Sequence, residues 1–317
     1  MTDTGADPTG GVDADWLALT ARTGVACHHL IGWMMWDPTA IDGFAALGVP
    51  EGRGWIVSWR LASLGDVAPS AAAAAAYSIH PTIVEAVLGM TRSAAEPAQV
   101  LAVRDAAVEP GLDEIAPGLG ARLGELAPAL WRGVDAVHAG ARPMFAAHRA
   151  HPRPEPATSA LSAWLAANCL RELRGDNHWV LCAAADLDDV EVGLLHSAMI
   201  DPDEYGGEEW IARSRGGDDA AIAAGWARLE AKGLASTDDG RSAITEAGHR
   251  FRVDLERRTD ALTAPAWQAV GRDETEAFCA AVEAHEDAFL ARIDATAGPR
   301  WMPAVRPPGR SAGPTAP

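Results

Sequence analysis

The sequence predicts a mainly α-helical protein with one short β-hairpin, on three observations. Apolar residues recur at spacings of three and four along most of the chain, the period of an amphipathic helix. Proline stands repeatedly where a helix would start or stop. A single stretch, 234–244, reads as strand, turn and strand around Asp238-Asp239-Gly240. With 317 residues, of which 48% are hydrophobic and 22% charged, the chain can bury ordinary cores and has the length of two domains.

Residues 1–14 and 299–317 are rich in Gly, Pro, Ala, Asp and Thr and too poor in large apolar groups to offset their ordering entropy, so both are expected to be disordered tails. From Trp16 to Trp36 a dense run of Leu, Ile, Met and Trp predicts a first helix. Asp37-Pro38 restarts a helix that ends at Gly48, because the residue before proline is held out of the helical region. Residues 55–64 are a further apolar stretch, and Pro81 fits the first turn of a helix in AYSIHPTIVEAVLGM. Residues 112–149 have helix-forming composition broken by Pro117, Pro128 and Pro143, which predicts several rods. HPRPEP, 151–156, is stiff and poor in donors. It is read as the linker between a helical domain of residues 15–150, with a ligand pocket, and a second domain of residues 157–298.

Beyond the linker, helices are expected at 158–173, under a Thr or Ser cap, at 178–187 and at 189–200, where Asp201-Pro202 stops the last. A short helix at 207–215 precedes one at 218–232. Asp218 and Asp219 suit the positive end of that helix's dipole, and Gly233 ends it by allowing a left-handed backbone. After the hairpin, Thr245 and Gly248 open a long amphipathic helix toward Thr259, and 273–295 form a last helix.

Charge bounds the partners. Forty-four acidic against 26 basic residues leave a net charge of -18, which repels phosphate polymers and membrane surfaces at long range. Contact with nucleic acid therefore needs a local basic patch. Cys27, Cys169, Cys182 and Cys279 are scattered without a CxxC and read as small buried apolar residues. Met1 to Asp15 is acidic and polar where a secretory leader is basic and then apolar, and no run of eighteen apolar residues occurs. A cytoplasmic protein without membrane contact is expected. HExxH, GxSxG and Gly-rich phosphate loops are missing, so the familiar hydrolases and nucleotide enzymes lose weight and no cofactor or metal is expected.

Helix, helix, hairpin and long helix in succession is the order of a winged helix-turn-helix, whose second helix enters the major groove while the hairpin touches the neighbouring backbone. The stretch LEAKGLASTDDGRSAITEAGHRF, 229–251, resembles the wing region of MarR-type regulators. Leu229, Glu230, Gly233, Leu234, Asp239, Arg241, Thr245 and Gly248 match that family's pattern in order, with Ile244 in place of a leucine. The resemblance implies that Arg241 sits at the wing tip, and with Arg228 and Lys232 on the second helix it would touch phosphate. Three other stretches, His80-Pro81, RPMFAAHR (142–149) and RGDNH (174–178), are similar to motifs of an uncharacterised actinobacterial helix-turn-helix group. In that group the MarR-like region is the C-terminal third, and Met144 departs from its usual leucine. This second resemblance implies a fold and no reaction.

The residues themselves are lean for reading DNA. Asp218 and Asp219 are followed by Ala220, Ala221 and Ile222, with no Asn, Gln, Ser or Arg to meet a base edge, and 216–260 holds nine acidic and seven basic residues. The function expected is a MarR-like winged-helix transcriptional regulator, responsive to a small hydrophobic or aromatic ligand. The alternative is an enzyme, or a small-molecule or metal-binding protein of specialised metabolism, that uses the winged helix as scaffold.

RGDNH separates two strongly apolar segments. Asp176 either caps a helix beginning near His178 or pairs with His178, the carboxylate orienting the imidazole as in general-base dyads and metal sites. The ligand pocket is expected to draw on His29, Trp33, Trp59, His80, Arg174, Asp176 and His178, with Trp36 and Trp55 as further wall candidates. The competing account is that the twelve Trp fill cores between helices rich in Ala and Gly. His28 and His29 point about 100° apart on a helix and do not easily share a metal. HRAH, 148–151, could do so only if its helix ran past His151, which Pro152 opposes. Apolar stripes at Phe251, Val253, Leu255 and Leu262, and at Phe278, Val282, Phe289 and Ile293, suit a homodimer or an intrachain bundle equally.

Overall fold

Capping residues and first-turn prolines set most of the helix starts. The computed structural model describes residues 11–50, 54–205 and 207–306, without the side chains of 54–57 and 202–203. Asp13 accepts from Trp16 N and opens α1 (Ala14–Gly32); Asp37 and Pro38 open α2 (Pro38–Ala46). Helix α3 spans Gly54–Ala62. Prolines begin α4 (Pro69–Ala76), α5 (Pro81–Ala94) and α6 (Pro97–Ile115). Next come α7 (Leu119–Asp135) and α8 (Pro143–Arg149), which stops before His151. Ser159 caps α9 (Ala160–Ala184), and a reciprocal Asp188–Glu191 capping box opens α10 (Asp189–Leu195). Short helices α11 (Pro202–Tyr205) and α12 (Trp210–Ser214) precede α13 (Asp219–Ala231), capped by Asp218.

Strands β1 (Ala235–Asp238) and β2 (Arg241–Ile244) pair antiparallel, with Ala235 opposite Ile244 and Asp238 opposite Arg241. The two-residue turn between them has φ of 47° at Asp239 and 77° at Gly240. Positive φ at both positions is what a tight hairpin needs, and Asp-Gly supplies it. Thr245 then caps α14 (Glu246–Val270), followed by α15 (Arg272–Glu283) and α16 (Glu286–Thr296).

Two apolar cores form, and α9 and α14 run through both. The larger gathers α1, α6, α7, the first half of α9, the end of α14, α15 and α16. The smaller gathers Leu181 and Cys182 of α9 with α10, α13, the start of the hairpin and Leu255 of α14. This second unit is the winged helix-turn-helix, held between the two long helices. A satellite cluster joins α3, α4 and α5 through Leu61, Ala72, Ala76, Val84 and Leu88. Residues on both sides of 151–156 share the larger core, so that segment is not a boundary between cores.

The structure departs from the sequence reading at several places. The helix expected over Trp16–Trp36 ends at Gly32 and tightens into a 3-10 turn over Trp33–Trp36. There the Leu30 carbonyl accepts the indole N–H groups of Trp33 (2.8 Å) and Trp164 (3.1 Å), so one local and one tertiary donor satisfy an acceptor at the helix end. The break expected at RGDNH is absent, because its polar side chains find partners on neighbouring helices and α9 continues through it. The last helix is two, α15 and α16. Residues 299–306, expected to belong to a tail, pack down: Trp301 lies 5.1 Å from Trp36 and 5.5 Å from Trp210 between ring centroids. Residues 1–10 and 307–317 of the expected tails lie outside the described residues. Leu255, Phe278, Val282, Phe289 and Ile293 are buried within the chain, whereas Val253 and Leu262 are exposed.

Gly248 shows what the Thr-x-x-Gly stretch does. A Cβ there would lie 2.2 Å from the Leu234 carbonyl oxygen and 2.6 Å from Ile244 Cγ2. Helix α14 thus starts flush against both ends of the hairpin. Gly248→Ala is expected to lower stability by about 1–3 kcal/mol through overpacking. Urea denaturation checks this, and an unchanged midpoint would mean that the hairpin moves aside freely.

Candidate functional site

Between the two cores, α9 and α14 carry a layer of buried polar side chains. Glu172 receives Arg60 in a fork, with Nε 2.9 Å and Nη2 2.7 Å from its two oxygens, and Arg171 Nη1 at 2.7 Å. Burial alone would push this carboxyl up; the two guanidiniums overcome that and hold it down at about 2. Arg174 donates to Asp260 at 2.9 Å and to Glu256, which also pairs with Arg252. Asn177 links Arg142 Nε, at 2.8 Å, to Thr263 Oγ1, at 3.0 Å.

Asp176 and His178 do not form the pair considered from the sequence, and Asp176 caps no helix beginning near His178. Two residues apart on a helix, their side chains point about 200° apart. Asp176 Oδ2 accepts from Phe145 N at 2.8 Å, at the start of α8. Burial pushes its carboxyl up to about 7, and the neighbouring charge of Glu172 adds to this. His178 Nδ1 lies 3.0 Å from Thr259 Oγ1, whose hydroxyl donates to Leu255 O, so Nδ1 carries the proton. Burial, then the positive charge of Arg252, lowers this imidazole to about 3, and it is neutral.

Around this layer a cavity separates the helical body from the winged module. One lobe, of about 240 Å³, is walled by Trp36, Trp210, Trp301, Met302, Ile79 and Ile83. The other, of about 370 Å³, is bordered by Arg174, His178, Trp179, Arg252, Glu256 and Asp260. The lobes share His28, Arg60, Ser78, Arg171, His196 and Arg215. Unlike Arg60, Arg171, Arg174 and Arg252, Arg215 makes no ion pair among the described residues. Its Nη1 is buried without a hydrogen-bond partner, and burial, then the nearby Arg60 and Arg252, lowers its guanidinium to about 10. Arg171 Nε and His196 Nε2 are likewise buried without partners.

The ligand residues expected from the sequence scatter: some line the cavity, some are buried, and His80 lies in neither place. Arg174 and His178 line the cavity, as does Trp36. Trp33 and Trp59 are fully buried in the larger core, and Arg104 lies 5.8 Å and 5.9 Å over the rings of Trp59 and Trp164. His29 is buried with Nε2 3.1 Å from the Val305 carbonyl, while its neighbour His28 meets the cavity. His80 starts α5, with Nδ1 2.7 Å from Thr82 Oγ1 and its backbone N donating to Arg215 O at 3.0 Å. The Trp55 side chain lies outside the described residues. Sequence reasoning missed Arg60, Arg171, Arg215, Arg252, His196, Trp210 and Trp301. An arginine inside an apolar helical run, as in WIVSWRLASL and NCLREL, was the available signal.

On the face expected to meet DNA, Arg228 pairs with Asp188 and, at 3.4 Å, with Glu191. Lys232 Nζ lies 2.6 Å from Glu191 Oε1 and also donates to Asp186 O. Both cations are drawn toward the start of α10. The exposed face of α13 presents Asp219, Ala220, Ala223, Ala224, Ala227 and Glu230. Arg241 is exposed beside the hairpin turn.

A helical body that borders a cavity against a winged module defines a helix-turn-helix protein built in two parts around that cavity. The chain belongs to a helix-turn-helix family, whose profile matches residues 20–296, from within α1 to the end of α16. Body and module therefore both fall within the family's shared unit. No curated protein and no solved structure matches the chain. Among the described residues, no helix is long and apolar enough to cross a membrane.

Proposed function

We propose that the chain is a cytoplasmic, MarR-like winged-helix DNA-binding regulator whose hold on DNA responds to a small molecule between body and module. The observation that carries this reading is the position of Arg215. It follows α12 directly and precedes by three residues the Asp218 cap of α13, so the turn of the helix-turn-helix itself borders the cavity. A ligand that engages Arg215 acts on the start of the recognition helix. The family match supports DNA as partner, and a homodimer reading two half-sites belongs to the same proposal.

Phosphate contact falls chiefly to Arg241, since Arg228 and Lys232 already pair with carboxylates. Few phosphate contacts mean weak binding that salt removes early. Arg241→Ala is expected to weaken binding to the DNA upstream of the chain's own gene, and to flatten the log K against log salt slope by about 1 per subunit. Titrations at several salt concentrations measure both. If the wild type leaves that DNA unbound even at low salt, the regulator reading fails. The second reading then stands: a small-molecule-binding protein with the module as scaffold, favoured by the carboxylate-paired Arg228 and Lys232.

A further inference from the structure

We infer that the cavity takes an aromatic oxyanion, a ring system bearing a carboxylate or phosphate group, with Arg215 as the anchor of the charged end. The inference rests on the ligand-responsive reading above and supplies the chemistry of its ligand. The chain carries a net charge of -18, yet five guanidiniums border this cavity: Arg60, Arg171, Arg174, Arg215 and Arg252. The carboxylates that border it or pair with these arginines are Glu172, Glu256 and Asp260. Glu256 and Asp260 offset Arg174 and Arg252, and Glu172 is shared between Arg60 and Arg171. Arg215 is left over among the described residues: its Nη1 is buried without a hydrogen-bond partner and it has no ion pair, whereas Arg252, whose Nη1 also lacks a hydrogen bond, keeps its ion pair with Glu256. A half-buried guanidinium lacking a counter-charge is costly, the more so with its Nη1 out of reach of water, and an oxyanion meets its planar fork with two parallel hydrogen bonds.

The rest of the ligand is fixed by the neighbouring lobe. Trp36, Trp210 and Trp301 place three indoles in contact around one apolar wall, with Trp210 and Trp301 edge to face. Trp210 and Arg215 stand at the two ends of α12, so a short helix presents both the ring wall and the anchor. A neutral apolar ligand would fill this lobe and leave Arg215 unsatisfied. A small inorganic anion would answer Arg215 and leave the indoles unused. An aromatic oxyanion answers both.

The test uses two fluorescent probes of the same shape, 8-anilinonaphthalene-1-sulfonate, which is anionic, and N-phenyl-1-naphthylamine, which is neutral. Full-length wild type is expected to bind one equivalent of the anionic probe at least about tenfold more tightly than the neutral one, the worth of a charge-assisted hydrogen bond. Arg215→Lys should fall between, and Arg215→Gln should bind the two probes alike. Retained affinity for the neutral probe shows that the cavity is intact in each variant; should Arg215→Gln lose it, Arg215→Lys decides. Competition with 1-naphthoate and 1-naphthyl phosphate distinguishes the two oxyanions, and displacement by either one supports the inference. Equal affinity of the wild type for both probes, undiminished anionic binding in the variants, or displacement by neither competitor overturns it. No DNA is present in these titrations, so a failure of DNA binding and a failure of the ligand class are read separately.

Discussion

Glu172→Ala is expected to lower the stability of the fold by about 3–5 kcal/mol, the cost of leaving buried charges without their partner. The carboxylate is fully buried and is the counter-charge of both Arg60 and Arg171. Its removal strands two guanidiniums beside each other on the cavity wall. The same carboxyl sets an acid limit. Its folded value, about 2, lies below its ordinary 4.5, so its stabilisation is complete above 4.5 and is lost as pH falls toward 2. Urea denaturation at neutral pH measures the first effect, and repeating it down through that range measures the second. A loss under about 1 kcal/mol would mean that the two arginines find water instead, as exposed pairs do.

Asp176→Asn is expected to act in the opposite direction, stabilising the protein increasingly as pH rises. The folded carboxyl titrates at about 7, against an ordinary 3.8. Between those values the folded chain holds a proton that the unfolded chain has released. Wild-type stability from this group is therefore complete below 3.8 and is lost as pH rises through 7. An asparagine keeps an oxygen acceptor for Phe145 N and never ionises. The gain of the variant over wild type should grow by on the order of 4 kcal/mol between pH 4 and pH 8, at about 1.4 kcal/mol per unit. Melting curves of both proteins across that range give the answer. A difference that stays flat with pH would show that the start of α8 solvates the carboxylate well enough to ionise normally.

The candidate site was only partly legible in the sequence. RGDNH was recognisable as unusual, but its role was not. Asp176 serves α8, Asn177 ties Arg142 to α14, and His178 serves Thr259, so one motif joins three helices. It does so alongside RPMFAAHR, which contributes Arg142 and Phe145 to the same joint. Trp33 and Trp36 stand three residues apart in one run, and only packing leaves Trp33 wholly inside the core while Trp36, at the core's edge, also meets the cavity.

What the sequence determined by itself is everything that acts within a few residues. Asp37-Pro38 starts α2, Asp239-Gly240 makes the hairpin turn, Gly233 follows α13 with φ of 73°, and Thr245 caps α14. Each works through a local hydrogen bond or an allowed backbone angle, so its signal lies beside its effect. The tertiary structure alone decided which arginines are paired. Arg228 meets Asp188, 40 positions away, and Arg60 meets Glu172, 112 away, while Arg215 meets no such partner at its buried Nη1. Charge attraction depends on distance in space and on burial, and neither is written at the position where the charge stands.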